Sequence, residues 1–213
     1  MLTCRSVVTH YTLSIEAFKQ EKFEYALEKV LNQCGRTAAR APSRTNPGHD
    51  LTVDGTRWSL KTVADKGIKP DPILLTKWME LGKGAWGKDV EDLKGLCKKF
   101  VTHLAGYDRV FVLRYMTPGS TTNHEYDVIE IPKDILLTAP KGDFQLSARS
   151  KLTTATPGTC KVRDDAGVMY VLYFDGGSER KLKVTHLRRN LCVHHATWKF
   201  QSPEPTPAAS AGE

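Results

Sequence analysis

The strongest local constraint on the fold is an Asp-Gly pair, Asp54-Gly55, which separates two short β-prone runs in the segment LTVDGTRWSLKT. Asp-Gly accommodates the positive φ angles of a type I′ turn, so the segment predicts a tight β-hairpin. Strand alternation then sorts the side chains onto two faces. The predicted core face carries Leu51, Val53, Thr56, Trp58 and Leu60. The opposite face carries Asp50, Thr52, Arg57, Ser59 and Lys61.

The polar face of this hairpin begins with an acid and ends with a lysine. Ordinary cross-strand geometry puts the β-carbons of Asp50 and Ser59 roughly 4.5–5.5 Å apart, with Lys61 further along the same face. Mg²⁺ binds through one or two carboxylates and completes its shell with water and phosphate oxygens, while a lysine can offset charge on the phosphate. The face therefore indicates metal-assisted phosphodiester cleavage. A solvated strand face without chemistry is the alternative.

Helical periodicity marks the segments on both sides of the hairpin. Apolar residues at spacings of three and four predict a helix over 12–34, which Gly35 ends. The segment KDVEDLKGLCKKFVTHLAG, 88–106, predicts a second long helix, and PDPILLTKWMELG predicts a short helix after Pro72. Residues 35–49 lack an apolar period and hold three arginines, which predicts an exposed basic loop.

The second half of the chain is richer in strand signals. RVFVLRYM is typical of a buried central strand and EYDVIEI of a neighbouring strand, followed by a short helix in PKDILL. TCKVRDDAGVMYVLYFDGGSERKLKVTHL predicts an antiparallel meander, because short β-rich runs alternate with the turn sequences DDAG and DGG. LCVHHATWKF predicts a packed strand, and SPEPTPAASAGE at 202–213 predicts a disordered tail.

An aspartate nine residues before a Ser-x-Lys, at Asp50, Ser59 and Lys61, with the helix pattern KFEYALEKVL ahead of it, resembles the PD-(D/E)xK nuclease superfamily. That superfamily includes type II restriction endonucleases and mismatch-repair nicking endonucleases. The resemblance implies an α/β fold with a restriction-endonuclease-like mixed β-sheet flanked by helices. It implies a nuclease core over 1–140. The strand signals and basic residues that follow predict a β-rich C-terminal extension over 141–201, a candidate for DNA recognition, and composition predicts the tail over 202–213.

The resemblance also implies a role for the residues that match the motif. Asp50 and Glu24 become metal ligands for Mg²⁺, and the backbone carbonyl of Leu60 becomes a further candidate ligand. Lys61 becomes the catalytic lysine. The implied activity is that of a Mg²⁺-dependent DNA endonuclease, of the type II restriction class, acting on double-stranded DNA as a homodimer. A nicking monomer would also fit, and an RNA substrate stays open.

Ser59 departs from the pattern, because Glu or Asp usually holds this position in the superfamily. The missing acid would then come from Glu24 or, as a second choice, from Glu80, with Ser59 in a supporting catalytic role. The alternative is that the chemistry has been lost. The chain would then be a non-catalytic nucleic-acid-binding protein that retains the fold.

The charge balance favours a polyanionic partner. The formal net charge is +7 and the pI is near 9.1. Cations that flank the predicted site in sequence are candidate DNA contacts: Arg36, Arg40, Arg44, Lys66, Lys69 and Lys77. The glycine-rich loop GKGAWGKD offers Lys83, Trp86 and Lys88, and a basic set in the last third is a second candidate surface: Arg163, Arg180, Lys181, Lys183, Arg188 and Arg189. A solvated basic loop is the alternative for the cations that flank the predicted site.

Several other classes of protein are disfavoured by the sequence. No run of about 18 apolar residues occurs, and the N-terminus lacks an apolar stretch with a small-residue cleavage site, so a cytoplasmic location is expected. The five cysteines are odd in number and contain no C-x-x-C pair, which predicts reduced thiols instead of a disulfide framework or a zinc site.

Overall fold

Two β-sheets and three α-helices form the part of the chain that the structure, a computed structural model, describes: residue 10 and residues 17–18, 20–42, 48–147 and 155–202. The helices are α1 (Gln20–Gln33), α2 (Val90–Leu104) and α3 (Lys133–Leu136). The strands are β1 (Ala38–Arg40), β2 (Leu51–Val53), β3 (Thr56–Val63), β4 (Ile73–Glu80), β5 (Arg109–Tyr115), β6 (Asn123–Glu130), β7 (Asp143–Leu146), β8 (Gly158–Asp164), β9 (Gly167–Phe174), β10 (Lys181–Leu187) and β11 (Val193–Gln201).

The first sheet is mixed and has the strand order β1-β2-β3-β5-β6-β11. Its two central strands, β3 and β5, run parallel, whereas all other neighbours are antiparallel. The connection between β3 and β5 contains β4 and α2. The prediction of an α/β protein with a mixed sheet is therefore confirmed, as are the buried strand at 109–115 and its neighbour at 123–130.

The β2–β3 hairpin forms as the Asp-Gly pair predicts. Asp54 and Gly55 have φ angles of 46° and 80°, the positive values that a type I′ turn requires. Leu51 pairs with Trp58 and Val53 with Thr56, which is the predicted register. The register fixes which side chains enter the core, because a slip of one residue would exchange the two faces.

The second sheet is antiparallel, with the order β4-β10-β9-β8-β7. Its strands β8, β9 and β10 are consecutive neighbours, so the predicted meander is confirmed. The helix predicted after Pro72 is wrong, because residues 73–80 form β4 and pair with β10. Ile73 and Leu75 are buried while Leu74 between them is exposed, which is the alternation of a strand.

The helices differ from their predictions mainly at their ends. α1 begins at Gln20, residues 17 and 18 before it are not helical, and Gly35 follows it with a φ of 80°. Residues 12–16 and 19 of the helix predicted over 12–34 lie outside the described residues. α2 matches its prediction, and the carboxylate of Asp89 caps it by accepting a hydrogen bond of 3.2 Å from the backbone N–H of Asp92. The loop predicted over 35–49 is wrong in part, since β1 lies within it and pairs with β2.

The first sheet separates two apolar clusters. On one face, α1 packs against Leu51 and Leu60 through Phe23 and Ala26. On the other face, α2 and the inner side of the second sheet form the larger cluster, which the central strands enter through Val110, Val112 and their neighbours. Lys61, which follows Leu60, therefore points toward the side of α2 and β4. The catalytic candidates lie where these layers meet.

Two strands cross the predicted division of the chain at residue 140. β4, from the N-terminal segment, is an edge strand of the second sheet, and β11, from the C-terminal segment, is an edge strand of the first. Each sheet is thus completed by a strand from the other segment. The division into a core over 1–140 and an extension over 141–201 stays a prediction, and the tail over 203–213 lies outside the described residues.

Candidate active site

Asp50 is held at the start of the hairpin by its neighbours on β3. Its Oδ2 atom accepts a hydrogen bond of 2.6 Å from the backbone N–H of Leu60 and one of 3.3 Å from the hydroxyl of Ser59. Its own backbone N–H donates to the carbonyl of Trp58 at 2.9 Å. Oδ1 receives no hydrogen bond from the described residues. The carboxylate is therefore oriented through one oxygen, and the other is available to a ligand.

Lys61 carries a half-buried ammonium that forms no ion pair with the described residues. Within the described residues its Nζ atom makes no hydrogen bond and no ion pair, and its closest aromatic neighbour is Trp78, with Nζ 5.9 Å from the ring centroid. Burial lowers the pKa of Lys61, and the negative charges of Asp50 and Glu24 oppose that shift. A lysine in this state can readily accept an anionic partner such as a phosphate.

Glu24 lies on α1, which packs against the opposite face of the first sheet. Its side chain is half-buried, and its charge raises the pKa of Lys61, as the charge of Asp50 does. Asp50 at the start of the hairpin and Glu24 on α1 thus both interact electrostatically with Lys61. Glu80, the second-choice acid, instead pairs with Lys77 at 2.8 Å on the exposed end of β4. Glu24 is therefore better placed than Glu80 to complement Asp50.

Three further residues border the site and were missed by the sequence reasoning. The hydroxyl of Tyr107 accepts a hydrogen bond of 3.0 Å from Nε1 of Trp78, and the ring of His103 lies edge-on to that of Tyr107, with 5.5 Å between centroids. Burial lowers the pKa of His103, and the charge of Lys61 lowers it further while Asp50 opposes the shift. Burial and the charge of Asp50 raise the pKa of Tyr107.

A close backbone contact links these residues to the hairpin. A β-carbon added at Gly106, just after α2, would lie 3.0 Å from the Cα atom of Gly48, two residues before Asp50. A side chain at Gly106 would therefore require the segment before Asp50 to shift by a few tenths of an ångström. The end of α2 thus packs against the segment that leads to Asp50, close to His103 and Tyr107.

The donor atoms suit a hard cation with few protein ligands. Asp50 offers a free carboxylate oxygen, Glu24 is a second acid whose charge acts on the same lysine, and neither is a sulfur or imidazole ligand. No group of three or more His, Cys, Asp or Glu side chains within the described ranges is arranged to hold a metal ion. Mg²⁺ binds through only one or two carboxylates and keeps several waters, so this chemistry fits Mg²⁺ better than zinc.

The candidate DNA contacts fall into two groups in the structure. Arg36 pairs with Asp54, and Arg40 pairs with Glu28 at 2.8 Å while its guanidinium lies 3.5 Å from the ring centroid of Tyr25. By contrast, Lys66 and Lys69 are exposed and have no ion pair within the described residues. Lys77 lies on β4 beside Trp78, and Arg44 lies outside the described residues.

Most cations of the second candidate surface are neutralised by nearby acids. Arg163 lies 3.6 Å from Asp143, Lys183 lies 2.7 Å from Asp175, and Arg189 lies 3.0 Å from the buried Asp127. Lys181 pairs with Glu179, and Arg188 pairs with Asp164.

Comparison with known proteins places the chain in a class of DNA-cleaving enzymes. Residues 4–200 match the family described as "SmaI: Type II site-specific deoxyribonuclease". The chain belongs to this family of type II restriction endonucleases. It is 40% identical over 200 residues to the type II restriction enzyme SmaI of Serratia marcescens, and the match covers 93% of this chain and 78% of that protein. No solved structure matches the chain.

The family confirms that the chain is a restriction endonuclease, and thus an enzyme that acts on DNA. The reading of the chain as a non-catalytic binding protein is thereby set aside. Among the described residues, no helix has the length and apolar character needed to cross a membrane. The roles of individual residues, the cofactor and the oligomeric state belong to the proposal that follows.

Proposed function

We propose that this enzyme hydrolyses phosphodiester bonds of double-stranded DNA in a Mg²⁺-dependent reaction at a site of the PD-(D/E)xK type, built on the β2–β3 hairpin. The single observation that carries the proposal is the pair formed by Asp50, with one free carboxylate oxygen, and Lys61, whose half-buried ammonium has no counter-ion within the described residues. A phosphate between them would supply the missing negative charge.

Each residue has a distinct part in the proposed reaction. Asp50 and Glu24 would hold Mg²⁺, with the backbone carbonyl of Leu60 as a further ligand. The ion, when bound, supplies Lewis-acid stabilisation of charge on the phosphate. Lys61 orients the attacking water and stabilises the negative charge that develops on the phosphate oxygens. The partly buried position of Lys61 strengthens this interaction, since water screens it less than at the surface.

Ser59 contributes to the proposed site by orienting the carboxylate of Asp50. Its side chain is buried, and its hydroxyl donates to the same carboxylate oxygen that the Leu60 N–H contacts. A glutamate at this position would add a second carboxylate beside Asp50 on the hairpin. Because a serine stands there instead, Glu24 on α1 is proposed to provide the second acid.

The proposal extends to the fold and the assembly. The mixed first sheet with helices on both faces fits a restriction-endonuclease-like core, and the β-rich second sheet is the proposed extension for DNA recognition. Each chain offers one hairpin site, whereas duplex DNA has two strands related by two-fold symmetry. A homodimer that applies one site to each strand is therefore proposed.

The test is cleavage of plasmid DNA by the purified protein with Mg²⁺, beside the same reaction in EDTA. The wild type is expected to give discrete fragments only with Mg²⁺. Lys61→Ala and Glu24→Gln are expected to lower the cleavage rate by at least about 100-fold, because they remove groups that stabilise the transition state. Lys94→Ala is the matched control, since Lys94 is an exposed helix residue paired with Glu91.

Three readouts separate failure of the chemistry from failure of folding. Each variant is also tested for binding to labelled DNA and for its unfolding transition. Discrete fragments from Lys61→Ala at the wild-type rate would refute the hairpin site. Discrete fragments from the wild type in EDTA would refute the metal requirement.

A further inference from the structure

A groove lies between the end of β4 and the start of β10, at one edge of the second sheet. Its volume is about 560 Å³. The charged side chains that line it are Lys77, Glu80, Lys83, Glu179, Arg180 and Lys181. Four cations and only two carboxylates thus face one concave space.

Hydrogen bonds connect the segment that follows β4 with Arg180, which directly precedes β10, and these two segments form the walls of the groove. The N–H of Leu81 donates to the carbonyl of Arg180 at 2.8 Å, and the guanidinium of Arg180 donates to the carbonyl of Gly84. Arg180 has a φ of 43°, a left-handed conformation that costs free energy in a residue other than glycine. Such strain persists where surrounding contacts enforce it, so the position of Arg180 is imposed by both segments.

Each of the two carboxylates in the groove forms an ion pair with one of its lysines. Lys77 pairs with Glu80 at 2.8 Å, and Lys181 pairs with Glu179. The side chain of Glu80 is 69% exposed and that of Glu179 is 64% exposed, and ion pairs this exposed contribute little free energy. A DNA strand, which carries one negative charge at every phosphate along its length, can therefore compete with these carboxylates for the two lysines. Lys83 is exposed and has no ion pair within the described residues.

β4 carries residues of both the groove and the surroundings of Lys61, on its exposed and its buried side. Lys77 lines the groove, and the next residue, Trp78, contacts Lys61 with 5.9 Å between Nζ and the ring centroid. The charge of Lys77 also contributes to lowering the pKa of Lys61. A DNA strand with one phosphate at Lys61 would thus carry neighbouring phosphates toward the groove, since phosphates recur along each strand at a spacing of about 3.4 Å of helix axis.

We propose that this groove binds backbone phosphates of the DNA strand next to the bond that is cut, with Lys83 and Lys181 as the principal contacts. This inference rests on the proposed function, because it takes the position of the scissile phosphate from Asp50 and Lys61. The contacts are to phosphate alone, so they add affinity and register without reading the base sequence. The cations therefore act equally on cognate and unrelated duplexes.

The test is fluorescence anisotropy with labelled DNA duplexes of two unrelated sequences, in EDTA, over a series of salt concentrations. Lys83→Ala is expected to weaken binding to both duplexes by about fivefold. It is also expected to reduce the slope of log affinity against log salt by about 1, which is the effect of losing one phosphate contact. Glu179→Gln is expected to tighten binding, because it removes a carboxylate that competes for Lys181.

Lys161→Ala is the matched control for the loss of one positive charge. Lys161 lies on β8, which β9 separates from β10, and it has no ion pair within the described residues. The proposal that the groove binds phosphates would be overturned if Lys83→Ala bound DNA as tightly as Lys161→Ala and the wild type. Weaker binding by Glu179→Gln would also overturn it. Cleavage by the wild type and by Lys61→Ala is measured in a separate experiment. A wrong assignment of the phosphate-binding groove can therefore be distinguished from a wrong assignment of the hairpin active site.

Discussion

At Lys61, the proposed function and the stability of the fold oppose each other. Its ammonium is half-buried and unpaired within the described residues, and burial lowers its pKa from the ordinary value of 10.5. A charge withdrawn from water without a partner destabilises the folded chain. The same deficit of negative charge makes the residue a good ligand for phosphate. In the free protein this charge has no paired anion among the described residues, and a phosphate of the substrate would supply one.

Replacing Lys61 with methionine is expected to stabilise the protein while it abolishes cleavage. Methionine keeps an unbranched side chain but removes the buried charge, so the free energy of unfolding in EDTA at pH 7 should rise by about 0.5–2 kcal/mol. Urea unfolding of Lys61→Met beside the wild type measures this change. Lys94→Met, at an exposed position, should stay within about 0.5 kcal/mol of the wild type.

The advantage of Lys61→Met is expected to depend on pH. Because the folded pKa of Lys61 lies below its unfolded value, the folded chain bears the full penalty at pH values below the lowered pKa, where both states are charged. As pH rises through that pKa toward 10.5, the folded chain loses the proton and the penalty fades. The stability difference should therefore shrink on going from pH 7 to pH 10. A difference that grows over this range would contradict the assignment.

The sequence could predict the arrangement of Asp50, Ser59 and Lys61, because a single turn determines it. Asp54-Gly55 fixes the hairpin register, and the register alone places Asp50 beside Ser59 and aligns Lys61 with them. Trp78 and Tyr107 lie on other elements that meet the hairpin only through tertiary packing. No periodicity in the sequence links those elements to Asp50.

At the level of elements, β4 shows why local pattern was insufficient. Its buried residues Ile73, Leu75 and Trp78 have spacings of two and three, which fit neither a regular strand nor a regular helix. Pairing with β10 shifts register at two places, and these irregularities account for the uneven spacing. A strand at a sheet edge thus takes its conformation from a partner about 100 residues away in sequence. By contrast, α2 has a regular apolar face and its own cap, so its prediction was confirmed.

The end of α2 is expected to control catalysis through the approach of Gly106 to Gly48. Gly106→Ala would place a β-carbon 3.0 Å from the Cα atom of Gly48, so the segment before Asp50 must shift. A small displacement of a metal-binding acid should lower the cleavage rate by roughly tenfold or more. Cleavage rates at saturating DNA measure the effect.

Gly95→Ala is the matched control within the same helix. Gly95 is exposed, and a β-carbon there would meet nothing within 4 Å. This substitution should leave the cleavage rate unchanged and stabilise the protein by about 0.5–1 kcal/mol, because alanine favours helix more than glycine does. Equal cleavage by Gly106→Ala and Gly95→Ala would show that the close contact does not position Asp50.

At the level of the whole molecule, the exchange of strands between the two sheets ties catalysis to the β-rich part of the chain. β4 carries Trp78, which contacts Lys61, and the same strand belongs to the second sheet. Trp78 on β4 thus connects the second sheet with the surroundings of Lys61. This connectivity is a result of tertiary packing, and the local pattern that suggested a division at residue 140 could not reveal it.

The proposed homodimer predicts a specific change of products when active and inactive subunits are mixed. In a dimer that applies one site to each DNA strand, a mixed dimer of wild type and Lys61→Ala would cut only one strand. Supercoiled plasmid incubated with wild type and excess Lys61→Ala, after the subunits have exchanged, should therefore accumulate nicked circles. The same excess of the active Lys94→Ala variant should instead give linear DNA.

A monomer would behave differently, because inactive protein could then only compete for sites and slow the reaction. The ratio of nicked to linear product would stay at its wild-type value while the overall rate fell. Agarose gels of a mixing series distinguish the two outcomes, and sedimentation of the same mixtures shows whether subunits associate at the concentrations used. Since two-fold symmetry of the enzyme would match that of the duplex, nicked circles at an intermediate mixing ratio would place one hairpin site on each strand.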